Sequence, residues 1–139
     1  MRSALPGTAG MRLNIGDAMA TILVIDDSAT ARKWIAREIR KILPAAEIAE
    51  APSGDAAYIV VQTRRFDLVT VDFNMPGMNG LEFIEKFRAL NHDTPLVMIT
   101  ANLQQTIVDR ARALKTEVVG KPITEAALKG IFQQSGLLP

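Results

Sequence analysis

Short apolar runs alternate with longer segments of helical spacing along most of the chain. Five runs have the length and composition of buried strands, and they cover residues 21–25, 47–51, 66–72, 96–99 and 117–119. After each run, apolar residues recur every three or four positions, which predicts an amphipathic helix. We therefore predict five strands that alternate with five helices.

Polar capping residues and a proline mark where several of these helices begin or end. Ser28 or Asp27 can accept hydrogen bonds from the free N–H groups at the start of the first helix. Ser53 and Thr124 can do the same for two later helices. The first helix is predicted to end before Pro44. Its basic residues are predicted to face solvent: Arg32, Lys33, Arg37, Arg40 and Lys41.

The alternation of strand and helix restricts the topology of the sheet. Strands joined by helices of this length are parallel neighbours with right-handed crossovers. We therefore expect an α/β fold with an open, doubly wound, five-stranded parallel sheet and helices on both faces. Ligands of such sheets bind outside the carboxyl ends of the strands, so candidate chemistry is to be sought there.

Composition narrows the class of protein. The chain has 139 residues, a length that suggests one domain. Its 16 basic and 15 acidic side chains give a net charge of +1. This near-balance gives no electrostatic reason to expect nucleic acid as a partner. Cysteine is absent, which excludes disulfides and thiol catalysis. The single histidine, His92, stands in a polar stretch and is expected to be solvated.

The first nineteen residues do not fit the strand–helix pattern. Proline, glycine and asparagine interrupt every apolar stretch there, so residues 1–19 are predicted to be a disordered leader rather than a signal peptide. Met11 and Met19 are alternative starts. No apolar run approaches the length of a membrane span, and we expect a monomeric cytoplasmic protein without membrane insertion.

Polar residues stand where the predicted strands end. Asp26 and Asp27 follow the first strand, Asp72 the third and Thr100 the fourth, while the fifth runs into Lys121. A parallel sheet brings these positions to one edge. Aspartates at strand ends often only cap helices, but this whole set at successive ends predicts a common pocket.

The pocket so assembled suits phosphoryl transfer. Several close carboxylates repel one another unless a cation joins them, and Mg²⁺ is a hard cation that binds carboxylates and phosphate oxygens. Asp72 is interpreted as a phosphorylatable aspartate, since a carboxylate can be a nucleophile toward phosphorus. Lys121 would add a second positive charge, and the Thr100 hydroxyl could bond a phosphate oxygen.

At this point the chain resembles the receiver domain of bacterial two-component response regulators. The resemblance covers about residues 20–134 and is carried by these motifs: Asp26-Asp27, Asp72 with the following Met75-Pro76-Gly77-Met78-Asn79-Gly80, Thr100-Ala101 and Lys121-Pro122. It implies a flavodoxin-like sheet of order 2-1-3-4-5, for which chemotaxis regulators are the usual example, and a receiver domain over residues 20–139.

The resemblance also implies roles for the residues at the edge. Asp72 would accept a phosphoryl group from a histidine of a sensor kinase or phosphotransfer protein. Asp27 and Asp72 would ligate Mg²⁺, with Asn74 contributing its backbone carbonyl and Asp26 acting largely through water. Thr100 and Lys121 would hold the phosphoryl group, and the Lys121–Pro122 peptide bond would be cis.

Two positions depart from the family pattern. The aromatic residue that usually stands three positions before the lysine, and that moves with the threonine on phosphorylation, is here Val118. The phenylalanine that commonly follows Lys-Pro is Ile123. The usual output route, through the last strand and its flanking helices, therefore has to differ in detail.

Several functions remain open at this stage. Only residues 135–139 follow the last predicted helix, so we expect a single-domain regulator that acts by binding an unidentified output protein, as in chemotaxis. A phosphorelay intermediate that passes the group to another histidine is the alternative. A metal-dependent phosphohydrolase is disfavoured, because many need a second aspartate where Asn74 stands. A pseudo-receiver that only binds proteins is disfavoured by the complete set of acids, Thr100 and Lys121.

Overall fold

The structure is a computed structural model that describes residues 19–91 and 93–139. The predicted leader, apart from its last residue, and His92 lie outside the described residues. Within them, strands and helices alternate as predicted: β1 Thr21–Ile25, α1 Ala29–Ile42, β2 Glu47–Ala51, α2 Gly54–Thr63, β3 Leu68–Val71, α3 Gly80–Leu90, β4 Leu96–Thr100, α4 Gln105–Ala113, β5 Thr116–Gly120 and α5 Glu125–Gln134.

The five strands form one parallel sheet. Their order is β2-β1-β3-β4-β5, which confirms the predicted flavodoxin-like topology. The chain reverses its direction of winding between β1 and β3, and the carboxyl ends of these two central strands meet there. Such a point is where doubly wound sheets place their ligands.

Alternate strand residues supply two separate apolar layers. On one face Leu23, Ile25, Val69 and Val71 pack against α2, α3 and α4; on the other, Ile22, Val24 and Leu68 pack against α1 and α5. Successive side chains of a strand point to opposite faces, so strands with continuous apolar runs are buried on both. The prediction of helices on both faces is confirmed.

Side-chain caps fix where the helices begin. Ser28 rather than Asp27 caps α1, its hydroxyl accepting from the Ala31 N–H at 3.1 Å. Ser53 and Thr124 cap α2 and α5, as predicted. Helix α3 begins with a reciprocal capping box between Asn79 and Glu82, which satisfies two free backbone donors. This box holds the loop after β3 to the start of α3.

One predicted surface residue of α1 is turned inward. Arg32 was expected to face solvent, yet only 15% of its side chain is exposed. Its guanidinium donates to the Asp26 carbonyl oxygen at 2.8 Å and to Glu50 at 2.9 Å. The prediction was wrong because helical spacing alone does not show which charged partner on β2 lies within reach.

A buried arginine fastens the edge of the sheet opposite the strand carboxyl ends. Arg88 of α3 is 7% exposed. It donates to the backbone carbonyls of Thr94, Leu114 and Lys115 at 2.7, 2.9 and 3.0 Å. One side chain thus joins the end of α3 to the segment before β4 and to the turn between α4 and β5.

No helix within residues 19–91 and 93–139 combines the length and the apolar character that crossing a membrane requires.

Candidate functional site

The backbone carries the sheet ladder one residue past the strands and so fixes the candidate side chains. The Asp26 N–H donates to the Ala51 carbonyl at 3.2 Å, and the Asp72 N–H donates to the Ile25 carbonyl at 3.1 Å. The Lys121 N–H donates to the Thr100 carbonyl at 3.0 Å. Each of these residues is therefore placed by its neighbouring strand, as the sequence predicted for strand ends.

Three carboxylates and one ammonium group meet at this edge. Oxygen atoms of Asp26, Asp27 and Asp72 lie within 4.8 Å of one another. Lys121 Nζ lies 2.7 Å from Asp26 Oδ2 and 3.2 Å from Asp72 Oδ2. The predicted juxtaposition of the two acids after β1, the acid after β3 and the lysine after β5 is thus found in the structure.

Burial and charge act against each other on Lys121. Burial lowers the pKa of its ammonium group, but the hydrogen bond that it donates to Asp26 and the charges of Asp72 and Asp26 outweigh this effect, so that the pKa is raised above its ordinary value. Lys121 is therefore positively charged at neutral pH. It compensates two carboxylates that are 1% and 6% exposed, which would otherwise be costly to bury.

One oxygen of Asp72 is left without a partner. Asp72 Oδ1 is buried and accepts no hydrogen bond from the described residues, whereas Asp26 Oδ1 accepts from the Ser28 N–H at 2.9 Å. A buried unpaired carboxylate oxygen beside two further carboxylates is a hard donor set with room for one more cation. The cluster is compatible with Mg²⁺, which favours such oxygen ligands.

Thr100 and Asn74 lie at the same edge, but their side chains make no hydrogen bond to the side chains of that cluster. Thr100 is fully buried at the end of β4, and its hydroxyl accepts from the Asn102 N–H at 3.1 Å. Asn74 is exposed in the loop that follows Asp72. Their suggested roles toward a phosphoryl group and a cation remain predictions.

A glycine lets α3 begin directly against Asp72. A Cβ atom built on Gly80 would collide with the Asp72 carbonyl oxygen and lie 2.8 Å from Phe73 Cα. Only glycine permits this approach without a shift of the backbone. The sequence showed Gly80 as part of a motif, but only the structure shows that its lack of a side chain positions the loop after Asp72.

The positions that depart from the family pattern are filled by aliphatic side chains. Val118 is 9% exposed and packs in the layer beneath α4, and Ile123 is 3% exposed in the opposite layer. The peptide bond between Lys121 and Pro122 is cis, as expected. Beside it, a Cβ on Gly120 would lie 3.2 Å from Leu103 Cδ1, so a leucine of the β4–α4 loop covers this glycine.

Fold, acidic cluster and lysine together define a receiver-type signalling protein. Residues 22–133 match the response regulator receiver domain, and the chain belongs to that family.

Individual relatives agree with this assignment. The chain is 36% identical over 112 residues to the chemotaxis protein CheY of Pseudomonas aeruginosa, a match that covers 78% of this chain and 89% of that protein. It is equally similar to CheY-3 of Vibrio cholerae, of which 85% is covered. The crystallized Vibrio cholerae chemotaxis protein CheY4 superposes with a TM-score of 0.76 at 29% identity, covering 85% of this chain and 99% of that one. The resemblance stated from the sequence is confirmed.

Proposed function

We propose that this protein is a response regulator that is phosphorylated on Asp72 and that signals by binding another protein in a phosphorylation-dependent way. The observation that carries the proposal is the state of the Asp72 carboxylate. One oxygen is held by Lys121 and the other is buried and unpartnered, and the carboxylate lies close to two further acids. An oxygen in this setting is oriented and free to react.

In the proposed reaction, a carboxylate oxygen of Asp72 attacks the phosphorus of a phosphohistidine on a kinase or phosphotransfer protein. A P–O bond to Asp72 forms while the P–N bond breaks, and the imidazole leaves with its electron pair. Lys121 is already within hydrogen-bonding distance of Asp72 and would donate to an oxygen of the transferred group. The Thr100 hydroxyl would donate to a second oxygen while it still accepts from the Asn102 N–H.

The proposed metal is Mg²⁺, held by the carboxylates of Asp27 and Asp72 and by the backbone carbonyl of Asn74, with Asp26 acting largely through water. Bound there, it supplies positive charge that offsets the charge of the phosphoryl oxygens. The chain's own contribution is to place the acids through the backbone bonds described above. Asp26 and Asp72 are buried, whereas Asp27 is exposed at the mouth of the cluster.

The chemotaxis relatives support an output of the chemotaxis type over a phosphorelay. A phosphorelay intermediate would pass its phosphoryl group on to a histidine of a phosphotransfer protein. A transfer assay with purified phosphotransfer domains therefore distinguishes a relay intermediate from a chemotaxis-type regulator. Asn74 in place of a second acid disfavours a phosphohydrolase. Rapid turnover of a phosphomonoester would reverse that preference.

The proposal is tested by incubating the protein with Mg²⁺ and a small phosphodonor and measuring its intact mass. We expect a gain of one phosphoryl group that disappears in Asp72→Asn and on chelation of the metal. Asp109→Asn, an exposed carboxylate on α4, is the matched control and should label as the wild type does. Labelling of Asp72→Asn would contradict the assignment of Asp72 as the acceptor.

A further inference from the structure

Asp26 is restrained at every polar atom it has. Its N–H bonds to Ala51 and its two carboxylate oxygens to Ser28 and Lys121. Its carbonyl oxygen accepts from Arg32 at 2.8 Å. The first three bonds involve the sheet ladder, the backbone N–H of Ser28 and the ammonium group of Lys121. The fourth comes from a side chain that plays no part in the proposed function.

The bond from Arg32 acts on the acid that follows. The Asp26 carbonyl and the Asp27 N–H belong to one planar peptide unit. Fixing the carbonyl direction therefore fixes the plane from which Asp27 departs. Asp27 is exposed, and burial does not hold its carboxylate toward the other two acids. The orientation of this peptide is one of the constraints on where the Asp27 carboxylate lies.

Arg32 is itself held by Glu50. Arg32 Nε lies 2.9 Å from Glu50 Oε1, and Lys33 Nζ lies 2.8 Å from Glu50 Oε2. Glu50 stands on β2 opposite Val24 of β1, two residues before Asp26. The planar guanidinium can bond a carboxylate and a carbonyl at once in fixed geometry, which an ammonium group cannot reproduce. β2 thereby supports the loop that carries both acids.

We propose that Arg32, anchored by Glu50, is a positioning residue for the metal site, because it fixes the peptide between Asp26 and Asp27 so that both carboxylates converge with Asp72. The inference rests on the proposed Mg²⁺ site and adds to it residues outside the acidic cluster. It commits to Mg²⁺ affinity as the property that Arg32 controls.

Charge alone predicts the opposite sign. Arg32 carries a positive charge close to an acidic cluster, so its removal should favour a cation if long-range electrostatics decided the affinity. Positioning predicts that removal weakens binding. Arg32→Lys distinguishes the electrostatic explanation from the positioning explanation, since it keeps the positive charge but loses the planar guanidinium that bonds two acceptors at once. If charge decides, the affinity for Mg²⁺ does not change in Arg32→Lys, whereas if positioning decides, the affinity falls.

The experiment measures the dissociation constant of Mg²⁺ by calorimetry for the wild type, Arg32→Lys and Arg32→Ala. We expect both variants to bind about tenfold more weakly, the size found when groups that orient metal ligands are removed. Phosphorylation by a small phosphodonor should recover at saturating Mg²⁺. Circular dichroism and Tm establish that the variants are folded.

Arg64→Lys is the matched control. Arg64 pairs with Glu47 at 2.8 Å, an arginine–glutamate ion pair at the other end of β2. The Arg64→Lys variant should bind Mg²⁺ with the wild-type affinity. An equal loss in Arg64→Lys would mean that β2 was loosened as a whole and would overturn the proposal. Wild-type affinity in Arg32→Lys, or tighter binding in Arg32→Ala, would overturn it also.

Two further results complete the test. If the Arg32 variants do not fold, Glu50→Gln measured at high salt, where distant charges are screened, should still show weakened Mg²⁺ binding. Unchanged affinity there would contradict the proposal. Absence of Mg²⁺ binding by the wild type would instead overturn the proposed function, and this inference with it.

Discussion

Thr70 places a hydroxyl in the middle of the sheet where its neighbours are apolar. It is 1% exposed, pairs in register with Val24 and Val97, and its Oγ1 has no hydrogen-bond partner among the described residues. A buried polar group without a partner costs free energy that an apolar group of the same shape does not. Val and Thr have nearly the same shape, so the cost can be measured.

We expect Thr70→Val to raise the free energy of unfolding by about 1 kcal/mol. Chemical denaturation followed by circular dichroism measures the change. Thr116→Val is the matched control, because Thr116 is equally buried but donates to the Leu114 carbonyl at 3.2 Å. That variant should lose stability. A loss in both would show that the Thr70 hydroxyl has a partner.

At the scale of elements, β2 is linked to α1 by charged side chains. It is an edge strand in which Ala51 alone is fully buried. The pKa of Glu50 is lowered chiefly by the hydrogen bond from Lys33. Burial raises this pKa, but the hydrogen bond from Arg32 and the charges of Lys33 and Arg32 lower it further. The ion pairs of Glu50 therefore tie β2 to α1 as long as the carboxylate is ionised.

This gives a pH dependence of known sign. Because the pKa of Glu50 is lower in the folded than in the unfolded state, its contribution to stability is present above the unfolded pKa and is lost as pH falls through the folded one. Glu50→Gln should therefore lower the free energy of unfolding by about 1 kcal/mol at neutral pH. The difference from the wild type should vanish in strong acid, as followed by urea denaturation at several pH values.

Glu47→Gln is the control for this dependence. In its ion pair with Arg64, the side chain of Glu47 is 57% exposed and that of Arg64 is 41% exposed. Exposed ion pairs contribute little to stability. A difference for Glu50→Gln that persisted unchanged into acid would show that packing, not charge, links β2 to α1.

At the scale of the whole molecule, the two edges of the sheet have separate tasks. Acids and Lys121 occupy the carboxyl ends of the strands, while Arg88 joins α3, β4 and β5 at the amino ends. Removing Arg88 takes the donors away from three backbone carbonyls in partly buried hydrogen bonds. We expect Arg88→Ala to lower the free energy of unfolding by about 3 kcal/mol and Arg88→Lys by less, as measured by thermal and chemical denaturation.

The affinity for Mg²⁺ should not change in these Arg88 variants, since the site lies at the opposite edge. Calorimetry on Arg88→Lys under conditions where it is folded provides the check. Weaker binding there would show that the amino-terminal edge influences the site.

The sequence predicts the architecture well because the pattern that encodes it is local. Each strand is a short apolar run, each helix is periodic, and the site acids follow strand ends, so topology alone brings Asp26, Asp72 and Lys121 together. The capping box of Asn79 and Glu82 was not predicted, although an Asn followed three residues later by Glu is its sequence pattern. Motif spacing was thus enough for the fold and for the acidic cluster.

What the sequence did not show depends on contacts between distant elements. Arg32 stands among basic residues on a polar stripe, and only the distance to Glu50 shows that it turns inward. Arg88 reads as an ordinary charged helix residue until the carbonyls around it are located. The unpartnered hydroxyl of Thr70 is equally invisible, because β-branched residues are common in strands.

Lys121 has a consequence for the order of events in the life of the molecule. By bonding both Asp26 and Asp72, it supplies from within the chain the counter-charge that their burial requires. Small metal-binding domains that lack such an internal partner fold only when the ion arrives. Here a newly synthesised chain can complete its fold without an ion, so under the proposed function changes in the cell's free Mg²⁺ would alter signalling more than they alter the amount of folded protein.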